Sequence, residues 1–166
     1  PPPPPPTKTF LIIRRPPRST LDNLRRQRQM CIRDRTYSAR IVLPDSPPDV
    51  TAETDIASNQ AHIYRLSGDY NALHIDPEAA RFGGFDEPIL HGLCTFGHCA
   101  DLLLRALCDG DADRFRTIKL RFSAPVYPGD TLRLHAWHDG DGRVVFEVRV
   151  GDTIVVSNAY FEYDAT

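Results

Sequence analysis

Asp69, Asn71 and His74 fall within six residues in SGDYNALHID (67–76). At neutral pH an aspartate accepts a proton, and a histidine near its ordinary pKa accepts or donates one. Adding water to an activated double bond needs such a pair, one group to deprotonate the water and another to protonate carbon. Asn71 would hold one of the two groups or the water in place. The competing reading is plain loop chemistry, with the aspartate at a helix end and the histidine on the surface.

The elements that position this stretch are read from caps and periodicity. Asp55 or Ser58 is placed to cap a helix over NQAHIYRLSG (59–68), with Gly68 as its stop. Asp76 caps a short helix opening on Pro77 and ending at Gly83-Gly84. HGLCTFGHCADLLLRALCDG (91–110) is the longest helix, with Leu93, Phe96, Ala100, Leu103, Leu104 and Leu107 at helical spacing and Gly110 at its close. After residue 114 the period becomes two: FRTIKLRFSAPV, DTLRLHAWHD, GRVVFEVRV and TIVVSNAYFEY alternate between turns PGD, DGDG and GD. These strands are expected to form a four-strand antiparallel meander, with a fifth strand from 37–43. A sheet wrapped on one long helix buries both apolar faces, which makes the fold class α+β.

Other chemistries fit less well. His91, Cys94 and His98 fall at the spacing of one helix face with Cys99 adjacent, a zinc-like set, but no second ligand cluster and no HExxH pattern accompanies them, and His91 is expected just before the helix proper. No metal is therefore expected. The pairs Cys94–His91 and Ser67–His74 lack an orienting third group and a GxSxG elbow. FGGFDEP is not a phosphate-cradling loop.

The chain has 166 residues, enough for one domain with a sizeable core, and no apolar run reaches the length of a membrane span. Three of its four cysteines lie inside the one long helix, which suits a reduced intracellular protein better than a disulfide framework. Charge divides the chain in two. Residues 1–35 hold nine Lys/Arg against two Asp/Glu, and residues 36–166 hold eleven against twenty. The acidic part argues against a nucleic-acid partner. Within the basic part, IRRPPRST and RRQRQMCIRDR resemble in-frame translations of short-read sequencing adapters, in the order a library would place them. Residues 1–35 are thus expected to be a non-native, disordered segment that has displaced upstream sequence, and residues 36–166 to be the domain.

The stretch YRLSGDYNALHIDPEAARFGGFDEPILHGLCTFG resembles the signature of hydratase 2, the (R)-specific enoyl-CoA hydratases of the MaoC-like hot-dog superfamily. Tyr64, Leu66, Ser67, Gly68, Asp69, Asn71, Leu73 and His74 match that motif, while Ala72 stands where the family has proline. The resemblance continues through PILHGLCTFG, RFSAPVYPGDTL and VVSNAYFEY, about residues 40–162, and is strongest to the catalytic C-terminal half of two-hot-dog hydratases. It implies a hot-dog fold and a hydro-lyase of fatty-acid β-oxidation. Asp69 and His74 would activate one water to convert a trans-2-enoyl-CoA into a (3R)-3-hydroxyacyl-CoA, reversibly. The Gly92 N–H would bind the thioester oxygen at a helix N-terminus, Asn71 would support the pair, and Phe122 would line the substrate site. No metal or redox cofactor is implied, since the substrate carries coenzyme A. A hot-dog partner is implied, either a second copy in a homodimer or an upstream half; without it an apolar edge or face would be exposed. A hot-dog thioesterase and a catalytically impaired fragment are the competing readings. The ending YDAT lacks a peroxisomal signal and the chain is Arg-rich with few Lys, which together suggest a bacterial cytoplasm.

Overall fold

Period-two segments after residue 114 become four long strands: β3 (Phe115–Phe122), β4 (Thr131–His138), β5 (Arg143–Val150) and β6 (Thr153–Tyr163). The computed structural model describes residues 10–13 and 40–165. Two further strands, β1 (Phe10–Ile13) and β2 (Val50–Asp55), complete one antiparallel sheet in the order β1-β3-β6-β5-β4-β2. Three helices precede β3: α1 (Gln60–Tyr64), α2 (Pro77–Phe82) and the 17-residue α3 (Gly92–Cys108). At 1.5 Å per residue α3 is about 25 Å long, enough to run across the sheet.

Alternation sorts the side chains. Leu132, Leu134 and Ala136 of β4 and Val144, Phe146 and Val148 of β5 have no exposed surface, and they pack in one core with Cys94, Phe96, Cys99, Leu102 and Leu103 of α3. Each large side chain so buried contributes about 1.5–3 kcal/mol. On the opposite face of β4, Trp137 is buried against the segment before β2, its indole N–H donating to the Ser46 carbonyl at 2.9 Å. The same segment is tied at Asp49, whose carboxylate accepts from the His138 N–H at 2.8 Å. Cys94, Cys99 and Cys108 are free and buried, and burial pushes the Cys99 thiol up to about 12. Among the described residues no helix is long and apolar enough to cross a membrane.

Several expectations are corrected. The fifth strand of the wrap comes from Val50–Asp55, not 37–43. Residues 40–43 form no strand, and Val50–Asp55 instead pairs with β4 from Val50↔Ala136 to Asp55↔Thr131. The four long strands are not a simple meander: β4, β5 and β6 follow one another, but β3 lies beyond β6. The register between β3 and β6 is irregular at two places. Arg116 is the extra residue between the pairs Phe115↔Tyr163 and Thr117↔Glu162. A second irregularity lies near Asn158, whose φ of 49° is left-handed and whose Oδ1 accepts from the Ile41 N–H. Leu93 is 47% exposed, so the buried stripe of α3 runs through Cys94, Thr95, Cys99, Leu102 and Leu103 instead. Asn59, not Asp55 or Ser58, precedes α1, with no side-chain cap; the Asp55 carboxylate accepts from the Thr131 hydroxyl instead. The disorder expected throughout 1–35 does not hold for Phe10–Ile13, which pairs with β3 from Phe10↔Arg121 to Ile13↔Ile118; an edge strand readily takes up a short apolar extended segment. The rest of that segment, including Cys31, lies outside the described residues.

Candidate active site

The site is built by the chain between α1 and α3. After α1 a 3-10 turn (Arg65–Ser67) ends on Gly68 at φ 110°, a left-handed conformation natural to glycine, and delivers Asp69 to an exposed position. Asp69 Oδ1 accepts from the Asn71 N–H, and Asn71 Oδ1 in turn accepts from the Leu73 N–H at 3.1 Å, opening a second 3-10 turn (Ala72–His74). This turn buries His74 to 8% exposure. Asp76 then caps α2 through the Glu78 N–H, as its spacing from Pro77 foretells. The loop after α2 returns to His91, the residue before α3.

Both imidazoles have assignable tautomers because each faces a carbonyl oxygen, which only accepts. His74 Nδ1–H donates to the Ile89 carbonyl at 2.8 Å, leaving the Nε2 lone pair free. His91 Nε2–H donates to the Asp69 carbonyl at 3.2 Å, and its buried Nδ1 has no hydrogen-bond partner. The two rings stack with centroids 3.8 Å apart and 27° between planes, and Tyr64 tilts onto the other side of His91 at 4.8 Å. Burial holds His91 below the ordinary histidine range; neighbouring His74 adds to this, and the bond to Asp69 opposes it. Burial likewise raises the Tyr64 hydroxyl.

The loop therefore brings a carboxylate and two imidazoles together. One ligand-type atom each of Asp69, His74 and His91 lies within 4.8 Å of the others, a set that offers donors to a metal as well as to a proton. Gly92, exposed at the first position of α3, has an N–H with no partner inside the helix. A Cβ on Gly92 would come within 3.3 Å of Phe122 Cε2, so Phe122 packs directly over the helix start. All five residues singled out in the sequence fall on this loop, on the adjoining helix start or at the end of β3. The Asn71 side chain is engaged with the loop backbone, not with His74.

His91 stands just before the helix proper, as expected from the sequence; at ψ 132° it lies off the helix, with its ring bonded to the Asp69 carbonyl. Cys94 faces the core and accepts a hydrogen bond from the Gln60 amide.

A single long helix packed on an antiparallel sheet is the hot-dog architecture, and Asp69 and His74 lie beside the start of that helix. The chain belongs to the MaoC-like domain family, whose model matches residues 41–160. It is 48% identical over 126 residues to peroxisomal multifunctional enzyme type 2 of Mus musculus, covering 75% of this chain and 17% of that one. It is 43% identical over 110 residues to the peroxisomal enoyl-CoA hydratase 2 of Arabidopsis thaliana, covering 66% and 35%. Among solved structures, a MaoC-like dehydratase from Phytophthora capsici superposes with a TM-score of 0.74 at 43% identity, covering 77% of this chain and 46% of that one. The chain thus spans less than half the length of each of these relatives.

Proposed function

We propose that the chain is a hydro-lyase that adds water to a trans-2-enoyl-CoA and yields a (3R)-3-hydroxyacyl-CoA, reversibly. The observation that carries this reading is the Asp69 carboxylate within 4.8 Å of a His74 ring nitrogen, next to the helix start at Gly92. The water oxygen bonds to C3 as the Asp69–His74 pair removes its proton, and the pair returns that proton to C2 on the same face. Both side chains end in their starting charge, so the proton balance closes on protein and water without a metal or redox cofactor. The negative charge that grows on the thioester oxygen meets the Gly92 N–H and the positive end of α3. Phe122 lies where it would flank the thioester, and Asn71 keeps Asp69 and His74 at the ends of one short turn. Names of relatives support this activity, among them enoyl-CoA hydratase 2 and a 3-hydroxyacyl-thioester dehydratase.

Ile63, Leu66, Tyr70, Phe82 and Leu93 are exposed in or beside the loop, and this supports a second hot-dog unit, from another copy or another domain, as partner. The family match over residues 41–160 supports 36–166 as the working domain, and the adapter-like sequence within 1–35 is the ground for reading that segment as non-native. A cytoplasmic site of action fits the Arg-rich composition, and cell fractionation tests it.

Crotonyl-CoA is the test substrate. Loss of the enoyl absorbance with formation of (3R)-3-hydroxybutyryl-CoA and no free thiol is the expected result. Release of free coenzyme A would overturn hydration in favour of a thioesterase.

A further inference from the structure

His91 does more than fill space. Its ring is 1% exposed, and a buried imidazole with one unpartnered nitrogen is an expensive way to pack a core, since an apolar ring of similar size would leave no polar atom unsatisfied. Its ring contacts and side-chain hydrogen bond are with the site. Its face covers His74, its other side meets Tyr64, its Nε2–H holds the main chain of Asp69, and its own carbonyl receives the first helical bonds of α3, from the Cys94 and Thr95 N–H groups. The main chain of Asp69 is thereby tied to the residue that precedes Gly92, across 22 residues of sequence.

The geometry points to His91 as a positioning residue: it fixes the distance between the Asp69 carboxylate and His74 Nε2, and ties both to the oxyanion-binding start of α3. It touches no reacting atom. Two contacts do the work, the stack that sets the His74 ring plane and the N–H that anchors Asp69. In its neutral form the ring can lie against His74 without repelling the proton that His74 carries in the reaction. This inference rests on the hydratase reading for its kinetic consequences, but the geometry of His74 is open to direct measurement.

The two contacts separate by substitution. His91→Phe keeps a stacking ring and loses the donor. His91→Gln keeps a donor near the Nε2 position and loses the stack. His91→Ala loses both. For crotonyl-CoA hydration by the full chain, kcat falls about a hundredfold in His91→Ala and about tenfold in each of the other two, as expected for ångström-scale misplacement of catalytic groups. KM stays within about threefold, because positioning acts on the transition state. In ¹⁵N-histidine spectra the wild type shows His74 as a fixed Nδ1–H tautomer, and His91→Ala shows averaged tautomers. A folded His91→Ala chain with wild-type His74 signals and kcat overturns the inference. So do equal kcat losses in all three variants that track their melting temperatures, since that pattern belongs to a structural role. A wild-type chain that fails to hydrate crotonyl-CoA while its His74 spectrum responds as described overturns the hydratase reading and upholds the role of His91.

Discussion

The loop from Gly68 to His91 and the helix-in-sheet body are held by different forces. The body is apolar burial on a large scale: Leu134, Phe146, Val148 and Phe161 expose nothing and repeat at period two. The loop has little of this. It is held by Asx-type turns at Asp69, Asn71 and Asp76, by two imidazole–carbonyl bonds and by one ring stack. Its chemistry-bearing carboxylate is exposed, within 4.8 Å of a His74 ring nitrogen. Stability and activity are thus assigned to separate sets of residues, and substitutions in one set should leave the other property nearly unmoved.

The largest separation is expected at Asp69→Asn. Loss of the acid–base group lowers kcat about a thousandfold, while exposure of the side chain keeps the stability change within about 0.5 kcal/mol; steady-state assay and thermal melting report the two. Leu134→Ala is the mirror case. Urea titration should show a loss of about 2–5 kcal/mol, with activity per folded molecule close to wild type. Gly92→Ala sits between the regions. Its methyl would meet Phe122 at 3.3 Å in the approach to the helix start, lowering kcat/KM about tenfold. Its melting temperature should not fall, because alanine is the better helix former. Asn71→Ala is the exception to the separation: it removes the bond to Leu73 N–H that holds the loop itself and should cost about 1 kcal/mol, with a modest drop in kcat; a melting temperature and kcat both unchanged would show that this turn does not hold the loop.

The smallest effect is in acid. His91 is held below its unfolded value mainly by burial, so the unfolded chain binds the proton more readily. Its contribution to stability is complete above the ordinary histidine pKa of about 6.5 and is lost as pH falls below it. His98 on α3 is lowered by burial in the same sense. Denaturation curves taken from pH 7 to pH 5 should be flatter in His91→Gln and, separately, in His98→Gln, one reporting on the loop and the other on the body.

What could be read from the sequence follows the same division. Asp76 with Pro77, Gly68, and the period-two runs each act through neighbours in the chain, so their outcomes were visible. The neighbour relation of β3 to β6 was not, because it joins strands far apart in the chain, which no local pattern encodes. VTAETD (50–55) alternates too weakly, after two prolines, to announce a strand; its pairing with β4 makes it one. In the loop, Asp69 and His74 were legible from residue type and spacing. His91 was not, since its role depends on a contact with Asp69 across 22 residues.

Trp137 is the sole tryptophan of the chain, and its indole is bonded to Ser46 on the face of β4 away from α3. That placement gives the molecule an optical channel of its own. Detachment of the segment before β2 would wet the indole and red-shift its emission, while events in the loop between α1 and α3 would leave the spectrum quiet. One intrinsic fluorophore thus reports on the body alone, and fluorescence monitored alongside turnover distinguishes a variant that has unravelled from one that has merely stopped working.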